Sequence, residues 1–427
     1  MILVLLTFLI LALLAIPIGY VMGISSLAGL ISMGGTEFLR ILVTRLHSGL
    51  NSFLLVAIPF FVLASEFMNR SGITKLLIDF VNKIFGHLSG GLAHVNIGVS
   101  VLFGMLTGSA VTDTIAIGGT LIPAMKKEGY SGAFSAAVTA TSSVLGPIIP
   151  PSIVMVIFSS MIRETSARSL FAAGVIPGLL IAAFLLVISA IQSKRRHYPR
   201  KKRASFKEFL NSTKNAILPL FTPIIILAPI LLGITTVTEA AAMGAFYALI
   251  LGVLVYKTLK LKDIIESTFS AAKFGGVIFL LICAANTLGW FISRSGITTS
   301  IAKLITSTIQ SPYLILALLN IFLLIVGMFV DTIPAVLILA PILVPPLVQI
   351  GFNPLHIAMI ILVNLNMGNA TPPMGMTLMV ASKIAKVPYE SAIKEAVPFI
   401  LAEITVCFLV SYMPILPLWL PRLLGFI

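Results

Sequence analysis

Two long stretches of this chain carry almost no charge. Between Lys83 and Lys126 the only formally charged residue is Asp113, and between Lys303 and Lys383 it is Asp331. A soluble domain cannot cover such stretches with polar surface, whereas each has room for membrane crossings at about 20 residues per span. The rest of the 427 residues agrees, being 58% hydrophobic and 10% charged, where a soluble protein carries about 25% charged residues. Because the apolar residues are spread along the length, the chain reads as an all-α polytopic membrane protein. There is space for at most about a dozen crossings, and a single-anchor enzyme is excluded. Met1–Met22 carries no basic n-region of a cleavable signal and is expected to be a retained first span.

The formal net charge is +14, and its location says what it means. Seven of the 28 Lys and Arg residues fall within Lys194–Arg203, a short polar loop between long apolar runs. Basic clusters beside spans mark the cytoplasmic side, so this is a topology signal and not a nucleic-acid surface. Cys283 and Cys407 lie in apolar runs without metal or redox spacing, and the five histidines show no ligand motif.

Internal repetition divides the chain. Arg70-Ser71-Gly72-Ile73-Thr74 recurs as Arg294-Ser295-Gly296-Ile297-Thr298. Further on, Gly129 matches Gly351, Gly146 matches Gly368 and Pro150-Pro151 matches Pro372-Pro373, each at an offset of 222. Asp113-Thr114-Ile115 matches Asp331-Thr332-Ile333 at 218, which calls for a four-residue insertion around Val344–Leu347. The expectation is an internal duplication, with halves 1–195 and 215–427 joined by a basic cytoplasmic linker, 196–214. An odd number of crossings between equivalent points would invert one half relative to the other. Each half is expected to run from long helices (Phe53–Phe67, Val277–Ile292) through the Arg-Ser-Gly-Ile-Thr turn to a helical hairpin and a broken helix. Each closes on a final span, Leu170–Ile191 or Pro398–Leu420.

Gly146-Pro147-Ile148-Ile149-Pro150-Pro151 and Gly368-Asn369-Ala370-Thr371-Pro372-Pro373 cannot continue a helix, since proline lacks the donor and disfavours helical geometry before it. At membrane depth such backbone survives only inside protein or along a cavity. Freed carbonyls there, with Thr139, Thr141, Ser142, Ser143, Asn364, Asn366 and Asn369 around them, are hard neutral ligands suited to Na⁺. Exposed helix N-termini suit a carboxylate. A lone carboxylate among apolar spans costs about 2.5–3.5 kcal/mol on insertion scales, so Asp113 and Asp331 are candidates for the same site; as N-caps at a hairpin tip they would cost little. Thr236-Val237-Thr238-Glu239 has capping-box spacing and is expected to open a helix over Ala240–Tyr256. Glu66, Arg163 and Glu164 read as interfacial charges, and Arg70 and Arg294 as snorkelling at span ends. No P-loop, nucleophile elbow or potassium filter occurs, so uphill transport would draw on an ion gradient or another subunit.

Four runs carry a resemblance: GMLTGSAVTDTIAIGGTLIPAMKKEGY (104–130), SSVLGPIIPPS (142–152), TEAAAMGAFYAL (238–249) and NMGNATPPMG (366–375). Together they resemble the large membrane subunit of tripartite ATP-independent periplasmic (TRAP) transporters, over essentially the whole chain. One departure is Val237, where that family often has proline. The resemblance implies an ion-transporter fold with two hairpins and two broken helices in a mobile domain, an elevator mechanism, and residence in the bacterial inner membrane. It implies Na⁺ as coupling ion with no other cofactor, a soluble periplasmic binding protein and a separate small four-helix membrane subunit as partners, and an organic acid as substrate: a C4-dicarboxylate, sialic acid or sugar acid. By resemblance Gly108, Ser109, Asp113, Thr114, Asp331 and Thr332 lie near the ion and substrate sites. Ser142, Ser143, Gly146, Pro150, Asn366, Gly368, Thr371 and Pro372 belong to the facing broken helices. A self-sufficient anion symporter or Na⁺/H⁺ antiporter of related fold is the alternative.

Overall fold

Away from water a backbone can satisfy its N–H and C=O groups only within itself, and each long apolar run accordingly closes into a helix. The computed structural model describes all residues except 1, 35–38, 297–298, 301–302, 304–306 and 308–310, and among the described residues no strand occurs. Ile297 and Thr298 of the second Arg-Ser-Gly-Ile-Thr copy therefore lie outside the described residues.

The first half contains α1 (Ile2–Leu13), α2 (Ile18–Gly34), α3 (Leu39–Leu50), α4 (Ala57–Arg70), α5 (Ile73–Phe85), α6 (Gly91–Thr107), α7 (Ala110–Lys127), α8 (Gly132–Ser143), α9 (Ile153–Met161) and α10 (Ala167–Arg195). After the basic loop come α11 (Phe206–Leu232), α12 (Val237–Ile250), α13 (Leu261–Arg294), α14 (Pro312–Phe329), α15 (Thr332–Gln349), α16 (Pro354–Gly368), α17 (Met376–Ala385), α18 (Tyr389–Tyr412) and α19 (Ile415–Leu423). Among the described residues seven helices are long and apolar enough to cross a bilayer, and α18 with α19, bent by 60°, makes an eighth if the pair is one span.

Several expected boundaries move. The first span is not one helix, because α1 stops at Leu13 and α2 starts at Ile18, on either side of Pro17. The Thr236 capping box forms as expected, with Glu239 Oε2 accepting from the Thr236 N–H at 2.8 Å. The helix it opens starts at Val237 and ends in a π turn over Leu251–Val255. Arg70 at the end of α4 is also paired, holding Glu66 at 3.3 Å and Glu266 at 2.6 Å and tying α4 to α13. Glu66 also accepts from Ser270, at 3.0 Å.

The repeat has a simpler register than the sequence match suggests. α7 and α15 start and end 222 residues apart, α6 and α14 end at that offset, and α8 with α16 and α10 with α18 begin at it. No insertion falls at Val344–Leu347. Pro123 matches Pro345 within the paired helices, and Asp331 takes the N-cap position that Ser109 takes in the first half. The offset of 218 that aligned the two aspartates is short by four residues, close to one helical turn, which preserves the face but not the position.

The base of the α6–α7 hairpin lies beside the basic loop: Glu128 pairs with Lys201 at 2.7 Å, and Ser131 N–H donates to Tyr198 at 3.3 Å. Arg196, at that same end of α10, pairs with Glu395 near the start of α18 at 2.6 Å. The base of the α14–α15 hairpin sits at the other end of α18, where Tyr412 donates to the Tyr313 carbonyl at 3.1 Å.

Candidate functional site: two polar centres at helix breaks

The first centre forms where the α6–α7 hairpin tip meets the interruption between α8 and α9. Gly108 ends α6 at φ 60°, and a Cβ there would come within 2.8 Å of the Ile153 nitrogen, so the tip abuts the start of α9. Ser109 caps α7, accepting from Thr112 N–H at 3.5 Å. One turn on, Asp113 is fully buried; the Thr107 hydroxyl donates to its Oδ1, and Oδ2 has no hydrogen-bond partner. A side chain on Gly146 would collide with that carboxylate, and Gly104 packs so closely that its Cβ would lie 2.7 Å from the Gly146 Cα. Two glycines thus let the hairpin arm and the unwound segment cross in contact, with Asp113 against the break.

Behind this crossing lies a buried network. Asn96 donates to Thr139 at 2.7 Å and accepts from Ser142 at 3.2 Å, while Ser100 donates to Ser142 at 2.8 Å. Ser143 donates to the Thr139 carbonyl at 2.7 Å, and Ser152 to the Pro147 carbonyl at 2.6 Å. Such a network fixes the break's backbone, since buried polar groups stay paired.

The second centre repeats the crossing with different side chains. Gly327 meets Gly368, with a Gly327 Cβ falling 3.0 Å from the Gly368 Cα. Asp331 begins α15 but makes no side-chain cap bond. Its Oδ1 instead accepts from Asn369 at 3.2 Å, and Asn369 also donates to Thr332 at 2.9 Å. Thr332 in turn donates to Asn366 at 2.9 Å. Asn364 donates to Asn320 at 2.7 Å, and Ser411 donates to the same oxygen at 2.8 Å. Asn364 Oδ1 and Asn369 Oδ1 are buried without a donor.

The sequence-predicted residues therefore divide. Asp113 and Gly146 meet at the first crossing while Gly108 abuts the start of α9, and Asp331, Thr332, Asn366 and Gly368 gather at the second. Pro150 and Pro372 both lie in cis Pro-Pro bonds within the breaks. Ser142 and Ser143 serve the network behind the first break. Thr114 and Thr371 turn their hydroxyls onto carbonyls one helical turn back, Ala110 at 2.9 Å and Met367 at 2.8 Å, and Ser109 is occupied by capping. Sequence reasoning missed Thr107, Asn96, Ser100 and Asn320. Each asparagine is a lone amide within an apolar run, a signal of the kind used for the aspartates but without the charge. It also missed Glu403, buried in α18 with neither oxygen bonded.

Chemically, the centres present hard oxygens. Asp113 Oδ2 in the first centre and Asn364 Oδ1 and Asn369 Oδ1 in the second are buried acceptors lacking donors, hard oxygens of the kind that suit a small hard cation. Among the described residues no group of three His, Cys, Asp or Glu side chains could hold a transition metal.

A helical membrane bundle whose polar centres pair hairpin tips with interrupted helices has the build of a secondary transporter. The chain belongs to the family described as "Tripartite ATP-independent periplasmic transporter, DctM component", whose model matches residues 5–416. It is 36% identical over 407 residues to the sialic acid TRAP transporter large permease protein SiaM of Vibrio cholerae, covering 95% of each chain. It is also 36% identical over 389 residues to the C4-dicarboxylate TRAP transporter large permease protein DctM of Pseudomonas aeruginosa, covering 91% of each. Among solved structures it resembles the Alcanivorax borkumensis YdaH transporter, with a TM-score of 0.64, 14% identity and 89% of each chain covered, a likeness of fold. The protein is thus a TRAP large permease and a multi-pass protein of the inner membrane.

Proposed function

We propose that the chain imports an organic acid coupled to Na⁺. In this reading it works as the large subunit beside a small four-helix membrane subunit, and it receives substrate from a soluble periplasmic binding protein. The observation that carries the coupling is the buried Asp113 carboxylate, with one oxygen lacking a donor, set against an unwound segment at Gly146. An unpaired buried carboxylate is costly by several kcal/mol, on the order of the gain available from a bound cation. The donor-free Asn369 oxygen beside Asp331 supports a second ion position in the other half. Opposite placement of the two hairpin bases supports inverted halves, and the polar tips supply the element that would move as an elevator between the two faces.

Uptake of the binding protein's ligand into proteoliposomes holding both membrane subunits tests this. Uptake should require Na⁺ and the loaded binding protein. Equal uptake with choline in place of Na⁺ would refute the coupling, and uptake without the binding protein would make the chain a self-sufficient symporter.

A further inference from the structure

A second polar cavity lies away from both centres. It has a volume of about 600 Å³ and is bounded by α3, α13, α15 and the turn after α9, within the range of about 300–1,000 Å³ typical of small-ligand sites. Its side of the membrane follows from α10. The basic cytoplasmic loop sits at the C-terminal end of that helix, and Arg163 and Glu164 precede its N-terminus, about 43 Å away for 29 residues at 1.5 Å each. That exceeds the hydrocarbon thickness of about 30 Å, so the cavity faces outward.

Two elements lead inward from it. α9 runs from Ser160, in the cavity wall, back to Ile153 at the Gly108 tip, and α15 runs from Pro345 and Pro341 back to Asp331. The cavity therefore stands at the far end of α9 and beside the second half of α15, the two helices that begin at the polar centres.

Its lining has a definite chemistry. Arg45 and Arg163 contribute two guanidinium groups, and neither forms an ion pair among the described residues. Arg45 lies over the Trp290 ring, 5.4 Å from its centroid. Among the described residues Glu164 is the one acidic residue in the wall, and neutral Ser48, Asn51, Ser52, Asn286 and Ser293 supply hydrogen-bonding groups. The formal charge of the wall is thus +1, in a site rich in uncharged donors and acceptors.

We propose that this cavity is an outer vestibule binding an organic monocarboxylate with a hydroxylated body, a sugar acid, in preference to a dicarboxylate. This rests on the organic-acid reading above and narrows it. Arg163 takes the carboxylate, since guanidinium matches carboxylate geometry. Arg45 stays on Trp290, and the serine and asparagine groups take the hydroxyls. A dicarboxylate would bring a second charge against Glu164 while offering no hydroxyl to Asn51, Ser52 and Ser293; Ser48 and Asn286 already bond to one another at 3.4 Å.

The chain has two tryptophans, so Trp419→Phe leaves Trp290 as the only indole in the full chain. In that background, purified in detergent, D-gluconate, N-acetylneuraminate, succinate and fumarate are titrated at matched ionic strength with NaCl as control. Gluconate or N-acetylneuraminate should shift Trp290 emission saturably, at least tenfold more tightly than either dicarboxylate. Arg163→Gln, which leaves the Arg45–Trp290 stack in place, should weaken that binding at least tenfold, and Glu164→Gln should narrow the gap between succinate and gluconate. Equal or tighter dicarboxylate binding, no response beyond NaCl, or an unchanged Arg163→Gln titration would each overturn the proposal. The readout involves no transport, so a vestibule that binds while uptake ignores Na⁺ would refute the coupling and leave this proposal standing.

Discussion

Replacing Asp113 by Asn separates the charge of the first centre from its shape. The side chain is fully buried, receives a hydrogen bond from Thr107 on Oδ1 and has no partner on Oδ2. Asparagine keeps an acceptor for Thr107 and puts an NH₂ in place of the free oxygen. Leaving that new donor unpaired costs about 1–3 kcal/mol, whereas removing a buried, unpaired carboxylate relieves a cost of several kcal/mol. In Na⁺-free buffer Asp113→Asn should therefore be at least as stable as the wild type. With Na⁺ the order reverses, because a ligand bound only by the folded state stabilises it by about 2.7 kcal/mol at a hundredfold excess over its dissociation constant. Losing the anionic ligand should raise the Na⁺ concentration for half-maximal uptake at least tenfold, equivalent to about 1.4 kcal/mol. Thermal unfolding in detergent across a Na⁺ series, with NMDG⁺ as control, reads the first effect, and proteoliposome uptake reads the second. A variant less stable than wild type without Na⁺, yet equally stabilised by Na⁺ and normal in uptake, would refute the assignment.

Asp331→Asn removes the acceptor charge from Asn369 in a partly exposed position, and should raise the Na⁺ requirement of uptake with little change in Na⁺-free unfolding. Unchanged Na⁺ dependence would mean that Asp331 only shapes the start of α15. Gly368→Ala would drive a methyl into the Gly327 backbone; overpacking of this kind costs about 1–3 kcal/mol, so the unfolding temperature should fall and uptake be lost, and a near-normal variant would show that the two helices can separate freely. Asn353 caps α16 by accepting from Leu355 and His356 N–H at 2.9 and 3.2 Å. Asn353→Ala should cost about 1 kcal/mol of stability without altering the Na⁺ dependence of uptake, and a shifted dependence would place the cap within the site.

Much of this architecture is legible in the residues, and the reasons are local. Gly-Pro-rich runs cannot continue a helix, so the breaks after Ser143 and Gly368 follow from proline chemistry alone. Thr236 and Glu239 announce a helix start by their spacing. Asp113 and Asp331 stand out because charge is rare around them. Other features resist a linear reading. The match of Asp113-Thr114-Ile115 to Asp331-Thr332-Ile333 suggested equivalent carboxylates, yet the helices align Asp331 with Ser109. Arg70 looks like an interfacial cation until α13 brings Glu266 beside it. Asn96 and Asn320 become site residues only through partners 43 and 44 positions away, Thr139 and Asn364.

By itself, then, the sequence determined that the chain spans the membrane repeatedly, where its helices must stop, and where its basic charge is concentrated. These depend on hydropathy, proline geometry and charge counted along the chain. The tertiary structure decided which oxygens are left without donors, which glycines let two backbones touch, and that Arg45 and Arg163 share one cavity. Those are properties of groups distant in sequence, and a hydrogen bond or an unpaired acceptor exists only once packing has brought its surroundings together.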